Sequence, residues 1–398
     1  MNDEHVARAA LARIAEPGDT AMGAAVRVHG PQEVLRVLHG DGPLPPEFRR
    51  RDPGGYRVRL GGAAAAEDLA AVARLGGEFV IPGDRGWPTQ LDDLGDARPL
   101  GLWTRGAARL RHAALRSVAV VGSRAGTDYG TYAAYELARE LAEARWCVAS
   151  GGAYGIDAAA HKGALAAGGL TIAVLACGID VAYPRGHERL FARIAEVGTL
   201  VSELPPGSSP SRIRFVERNR VIAALTPGTL VIEAAVRSGA LITAHRADAL
   251  GRVVMGVPGP ITSPQSAGVH QLLREEETYV VTCAAEVLEH LGRIGEDLAP
   301  RKAGPARPWD RLPPDLLRVL EATSPFHPLA PPTIARTAGI APGTVTTYLE
   351  ALRELGLVTP QEAPPGTPRP WLRTTTHNDN TPARNDRRVP DGPRSTAM

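Results

Sequence analysis

Residues 117–152 read SVAVVGSRAGTDYGTYAAYELARELAEARWCVASGG. The apolar run VAVVGS breaks off at glycine and serine, a helical pattern YGTYAAYELARELAEA follows, and a second apolar run, WCVAS, ends the same way. The unit then repeats. TIAVLACG, TLVSEL, TLVIEA, RVVMGVPG and YVVT are further short runs, separated by the helical patterns IDAAAHKGALAAG, HERLFARIAEVG, FVERNRVIAAL, LITAHRADALG and VHQLLREEE. A strand with one wet face alternates apolar and polar residues; these runs do not, so they are buried on both faces. Buried strands separated by helices make a doubly wound parallel sheet, an α/β fold.

The flanks differ in composition. Residues 1–55 read as a small helical domain punctuated by Gly and Pro, with Leu11, Ile14, Val34, Leu35 and Leu38 at apolar positions. The stretch PPEFRRRDPGGYR leads into the sheet domain, 56–292, whose opening part mixes an alanine-rich helix with the extended pieces EFVIP and LGLWTRG. A Pro-rich linker over 293–310 precedes 311–373, where three helical patterns followed by LVT and PWLRT as wing strands make a winged-helix layout. From 374 to 398 the chain is polar and without periodicity, the composition of a disordered tail.

Formal net charge is only +2 over 398 residues, so any electrostatic footprint is local. Lysine occurs only at Lys162 and Lys302; the other cations are arginines. Three widely spaced cysteines, Cys147, Cys177 and Cys283, offer neither a disulfide framework nor a zinc pattern. No run approaches the roughly 18 apolar residues that span a bilayer, and the N-terminus lacks a signal layout. A soluble, cytoplasmic protein without membrane contact is expected.

In an open parallel sheet, ligands bind beyond the carboxyl ends of the strands. Three loops at that edge, Gly122–Gly130, Ser150–Asp157 and Glu233–Ala244, place Gly122, Ser123, Ser150, Gly151, Gly152, Ser238 and Gly239 ahead of helices. Amide groups and the helix dipole favour phosphate there. Tight turns explain one such loop equally well; three on one edge favour an anion. Lys162 and His161 lie one turn into the helix after the second loop. The glycine spacing is not G-x-G-x-x-G and no acidic residue ends the second strand, which disfavours a dinucleotide cofactor. Asp157, His161, Glu203 and Glu233 are candidate acids or bases, but no nucleophile–base pair or metal-ligand spacing accompanies them. Neither an enzyme nor a metal or cofactor is expected, and His161 in an alanine-rich helix reads as packed.

RIRFVERNRVIAAL, residues 212–225, follows the fourth run and enters at the same edge. On a helix, Phe215, Asn219 and Ile222 share one face, with Arg214 and Arg218 on a neighbouring one. Cations for phosphates and an aromatic ring for bases are what a groove for an unpaired strand requires. A solvated basic face, with Phe215 in the core, is the alternative that composition leaves open.

VGSR (121–124), SGGAYGIDAAAHKGAL (150–165), TIAVLACGIDVAYPRGH (171–187), LVSELPPG (200–207), FVERNRVIAAL (215–225), EAAVRSGALITA (233–244) and VPGP (257–260) stand in order and at close spacing. Together they resemble the DNA-processing protein A family, DprA, also called Smf, over about residues 80–290. The resemblance implies an extended Rossmann core that dimerises, binds single-stranded DNA in a basic pocket and loads the recombinase RecA, in recombination or natural transformation. It compares the N-terminal helices with that family's sterile-alpha-like domain and admits a C-terminal winged helix. It places the pocket arginine at Arg124 and the basic and aromatic contacts at Arg212 and Phe215, supported by Arg218 and Arg220. Arg214, Asn219, Lys162 and the loop residues above complete the expected DNA-binding set. The rival is a nucleotide phosphoribohydrolase on the same Rossmann variant, but the P-G-G-x-G-T-x-x-E loop of those enzymes is replaced here by RSGALITAH.

Overall fold

Each of the seven apolar runs forms a strand in the computed structural model, which describes residues 3–40, 44–48, 53–60, 64–275, 277–292, 297–300 and 307–374. Along the first of two units, residues 1–300, the chain passes through helices α1 (Asp3–Ile14), α2 (Thr20–His29), α3 (Pro31–His39), α4 (Pro53–Leu60) and α5 (Ala65–Arg74). An antiparallel pair follows, β1 (Gly77–Val80) and β2 (Leu102–Gly106), then α6 (Leu110–Leu115). From there strand and helix alternate: β3 (Ser117–Val121), α7 (Asp128–Glu143), β4 (Cys147–Ser150), α8 (Ile156–Ala166), β5 (Thr171–Leu175), α9 (Glu188–Val197) and β6 (Thr199–Ser202). The series closes with α10 (Arg212–Leu225), β7 (Gly228–Val231), α11 (Gly239–Ala249), β8 (Val253–Gly256), α12 (Ala267–Leu272), β9 (Thr278–Val280) and α13 (Ala284–Leu291).

The nine strands make one sheet in the order β1-β2-β6-β5-β4-β3-β7-β8-β9. β3 to β9 run parallel to their neighbours, and β2 joins antiparallel to β6. Both faces are covered, which is why the strands read as unbroken apolar runs. Val118 and Val120 pack with Leu137, Leu141 and Ala160 of α7 and α8 on one face. Ala119 and Val121 pack with Val221, Ile222 and Leu241 of α10 and α11 on the other. Cys147 and Cys177 are free and buried among apolar side chains, and burial pushes their thiols up to about 12 and about 11. Chain order reverses at β3, whose neighbours are β4 and β7, so the carboxyl ends of β3 and β7 form the switch point of the sheet.

Helices α1 to α4 enclose Leu11, Ile14, Met22, Val34 and Leu38 with Phe48 and Tyr56. Ala9 and Ala10 of α1 pack on Phe79 and Trp103 of the β1–β2 pair. The second unit, from residue 301, has α14 (Pro314–Ala322), α15 (Pro331–Ala338) and α16 (Pro342–Glu354), then the antiparallel pair β10 (Val358–Pro360) and β11 (Trp371–Arg373). Its core is Val319, Leu320, Ile334, Val345, Leu349, Leu352 and Trp371. The linker expected over 293–310 lies outside the described residues at 293–296 and 301–306; the tail expected from 374 does so from 375 onward.

Helices α7 and α8 approach so closely that a Cβ on Gly163 would lie 2.1 Å from the carbonyl oxygen of Tyr135. Backbone cannot yield as a side-chain tip can. Gly163→Ala is therefore expected to destabilise the first unit by about 1–3 kcal/mol, seen as a lower urea midpoint; an unchanged midpoint contradicts this account of the helix pair.

Candidate nucleic-acid interface

At the switch point an open cleft of about 820 Å³ lies between the loops after β3 and β7 and the side of α10. The first loop is anchored from across the sheet. Glu233, buried at the end of β7, accepts hydrogen bonds from the Thr127 N–H at 2.9 Å and the Thr127 hydroxyl at 2.6 Å. The Ser123 N–H donates to the Glu233 carbonyl at 2.7 Å. A Cβ on Gly130 would fall 2.1 Å from the Glu233 carboxylate, so this glycine makes room for the clasp. In the second loop, buried Asp157 accepts from the Ala153 N–H at 3.3 Å. Burial pushes its carboxyl above the usual range, while Arg218 and the neighbouring amides pull the other way. Two of the three loops thus spend amide groups on internal carboxylates, and the third is capped by Ser238, whose hydroxyl accepts from the Ala240 N–H.

The far wall is α10, capped by Ser211. Its Phe215 ring is half-buried in the cleft, with the Arg124 guanidinium 4.6 Å from the ring centroid, the Tyr183 ring at 5.5 Å and the Arg218 guanidinium at 5.9 Å. Arg218 is buried beneath. It donates to the carbonyls of Gly151, at 2.7 Å, and Val174, and through Nε to Asn219 at 3.2 Å. Burial pulls its pKa down to about 10 against the pull of Asp157. Asn219 in turn donates to the Gly239 carbonyl at 3.2 Å, tying α10 to the start of α11. The cations left at the cleft surface are Arg124, Arg212 and Arg237, all exposed. Among the described residues, none of the three has a carboxylate within ion-pair distance.

Of the residues expected from sequence, Gly122, Ser123, Arg124, Arg212, Phe215, Arg218, Asn219, Ser238 and Gly239 line this cleft. The others lie elsewhere, each for a local reason. Ser150 is buried and donates to the Val120 carbonyl at 2.6 Å. Gly151 and Gly152 admit close neighbours instead of ligand: a Cβ would meet Arg218 at 2.3 Å and Phe191 at 2.6 Å. Lys162 is exposed outside the cleft. Arg214 is ion-paired with Glu16 at 3.0 Å, and Arg220 is buried on Glu203 at 2.5 Å and the Ala97 carbonyl at 2.9 Å. Two cleft residues, Tyr183 and Arg237, escaped the sequence reading although both lie inside quoted motifs, VAYPRGH and EAAVRSGALITA. An arginine beside Ser238-Gly239 was the available signal.

The candidate acids and bases are occupied as well: Glu203 by Arg220, Glu233 by Thr127, Asp157 within its own loop. His161 is fully buried with Nδ1 2.7 Å from the Thr171 hydroxyl, which donates to the Val148 carbonyl at 2.6 Å. The hydroxyl hydrogen is therefore spent, and Nδ1 carries the imidazole proton. Among the described residues, no group of His, Cys, Asp and Glu is placed to hold a metal ion.

The family model for DNA recombination-mediator protein A matches residues 78–292, all of the nine-stranded sheet but its first residue, and the cleft. The chain belongs to that family. Among the family's curated members, the putative DNA processing protein DprA of Mycobacterium tuberculosis is 43% identical over 362 residues, 87% of this chain and 90% of the relative. Protein Smf of Escherichia coli is 42% identical over 214 residues, 53% of this chain and 56% of its own. The X-ray structure of DprA from Streptococcus pneumoniae superposes with a TM-score of 0.61 at 30% identity, covering 74% of this chain and 99% of that one. The α/β sheet with helices on both faces is the fold shared by this family member and that structure.

Burial lowers the pKa of His161 from 6.5 to about 3, with His187 and Arg218 adding to the effect. Between those values the unfolded chain takes up a proton that the native state refuses. The associated stability is full above the unfolded pKa and is lost as pH falls through the window. His161→Gln is expected to reduce the slope of unfolding free energy against pH by up to about one proton between pH ~6 and ~4, measured by urea unfolding at several pH values. An unchanged slope rejects a buried neutral imidazole.

Proposed function

We propose that this family member binds single-stranded DNA in the cleft and delivers a RecA-type recombinase to it, as a cytoplasmic homodimer serving recombination or natural transformation. The observation that carries the reading is Phe215. Its half-buried ring is held between Arg124 and Tyr183, with exposed, unpaired cations around it. Arg124, Arg212 and Arg237 contact phosphates; Phe215 and Tyr183 stack on bases; Gly122, Ser123, Ser238 and Gly239 keep the loops low enough for a strand to pass. Arg218 and Asn219 act from below by fixing α10. Such a surface is indifferent to sequence, because every base has a π-face and every nucleotide a phosphate. A non-enzymatic role accords with the carboxylates of the edge being engaged in bracing the loops.

The domain reading that accompanies this function is a sterile-alpha-like segment over 1–55, an extended Rossmann domain over 56–292 and a winged helix over 311–373. The third helix of the last, α16, is a poor reader of duplex DNA. Its exposed face carries Glu350 and Glu354, and its Arg353 is spent on Glu350 at 2.7 Å. A groove-reading helix needs free cations to hold phosphates before bases can be read. We assign this unit to protein docking or regulation.

Binding is expected to favour single-stranded over duplex DNA and to weaken linearly in log salt, with a slope of about −0.7 per phosphate contacted. Arg124→Ala should lower affinity and flatten that slope. Phe215→Ala, in a protein shown to remain folded, should cost roughly 1–3 kcal/mol with the slope nearly unchanged, since stacking releases no counterions. Equal affinity for duplex and single strand at matched salt rejects the proposal.

Truncation after Pro300 is expected to leave single-strand affinity within a few-fold of the full chain. A large loss in a folded truncation would place DNA on the second unit.

A further inference from the structure

At the edge of the sheet opposite the cleft, where β3, β4 and β5 begin, a second concavity of about 460 Å³ opens among α6, the end of α7 and the turn after α8. Its lining includes His112, Arg116, Glu143, Arg145, Trp146 and Gly168. Arg116 and Arg145 are exposed, and among the described residues neither has a carboxylate within ion-pair distance. The rim carboxylate, Glu143, is taken by Arg139 at 2.5 Å.

The two arginines are held in ways that folding alone does not require. Arg145 sits just past α7 with φ at 62°, the left-handed region. Its N–H donates to the Ala142 carbonyl at 2.9 Å and the Trp146 N–H to the Leu141 carbonyl at 2.9 Å, the paired bonds that close a helix through a left-handed residue. Glycine is the relaxed occupant of that position, and a side chain there is strained. Arg145 is exposed, so packing does not compensate; strain of this kind points to a use for the side chain. Arg116 lies with its guanidinium 5.4 Å from the centroid of the Trp146 ring. The indole is buried and cannot stack on a ligand, so it serves as a fixed shelf that holds the cation by its π-face.

We propose that this concavity is a second anion site that takes a phosphate ester. Two unpaired guanidiniums and His112 lining one concavity supply the positive charge and the N–H donors that a phosphate group takes. The volume falls within the range of about 300–1,000 Å³ that small-molecule sites occupy, enough for a nucleotide unit. The ester comes either from a distal segment of a strand held in the cleft or from a free nucleotide. The five residues of β3 span four steps of about 3.3 Å, so the two edges lie at least roughly 13 Å apart with the packed sheet between them. A strand therefore reaches both sites only by passing around the sheet, which a short oligonucleotide cannot do. The strand source rests on the cleft reading; the nucleotide source does not.

The test follows the Trp146 indole N–H resonance in the full-length protein, assigned with Trp146→Phe. The ligands are thymidine monophosphate, a short oligothymidylate that only fills the cleft, and a long one. A shift with the monophosphate that disappears in Arg116→Gln/Arg145→Gly identifies a nucleotide site. A shift only with the long oligomer identifies a strand site. In that case the double substitution should lower long-oligomer affinity and flatten its salt slope by about 0.7 per phosphate lost, with the short oligomer unaffected. Arg145→Gly alone should melt no lower than the parent, since it relaxes the backbone, so loss of binding would not reflect unfolding. No Trp146 response to either the monophosphate or the long oligomer overturns the proposal, as does a response that survives the double substitution. Failure of the short oligomer to bind counts against the cleft reading alone.

Discussion

The buried guanidinium of Arg218 ties α10 by hydrogen bonds to the ends of two neighbouring strands that it otherwise meets only through apolar packing. From within α10 it reaches the carbonyls at the ends of β4 and β5, and it sits in the field of Asp157. Taking a cation out of water is expensive, and the cost is met here by carbonyl acceptors and a nearby carboxylate that burial alone would drive towards its neutral form. The planar guanidinium can serve several acceptors at fixed angles, which an ammonium group cannot. Because α10 is pinned at Arg218, Phe215 one turn earlier is presented to the cleft at a set height, and Asn219 one residue later locks the start of α11.

With that brace in place, the edge of the sheet departs from the usual economy of a nucleotide-binding α/β protein. There, backbone amides at helix starts hold phosphate. Here Glu233 and Asp157 occupy amides of the first two loops, so the protein's own carboxylates stand where ligand oxygens would. In the proposed function, anion recognition passes instead to side chains, to Arg124, Arg212 and Arg237 beside the Phe215 and Tyr183 rings. A flexible ring of arginines suits a repeating, variably placed phosphate better than a rigid amide cup suits one terminal phosphate. On that proposal, a net charge of only +2 is no obstacle, because the cations that matter are gathered at one cleft.

The parallel sheet was legible because burial on both faces leaves an unmistakable mark, seven unbroken apolar runs with Gly or Ser after several of them. The β1–β2 pair left only the hints EFVIP and LGLWTRG, since β1 at the sheet margin is partly wet. The site was half legible. Position on the chain brings Arg212, Arg214, Arg218 and Arg220 to one helix, but whether an arginine is free depends on carboxylates supplied from afar. Glu16, almost two hundred residues away in sequence, takes Arg214, and Glu203 takes Arg220. No periodicity within α10 carries that information. Tyr183 and Arg237 were missed for the converse reason: each reaches the cleft from a loop whose path only the tertiary structure defines.

The margins of the nine-stranded sheet have a consequence for the protein in a crowded cell. A long open edge invites another chain to add a strand, the first step of aggregation. One margin here, β1, is four residues long, and α1 and α5 pack beside it. The other, β9, has three residues, with Tyr279 laid against His290 of α13 at a centroid distance of 4.1 Å. Edges this brief offer too few free amide and carbonyl groups to template a partner strand. A broad parallel sheet, slow to assemble because all its pairings are distant in sequence, is thereby kept from growing sideways once formed.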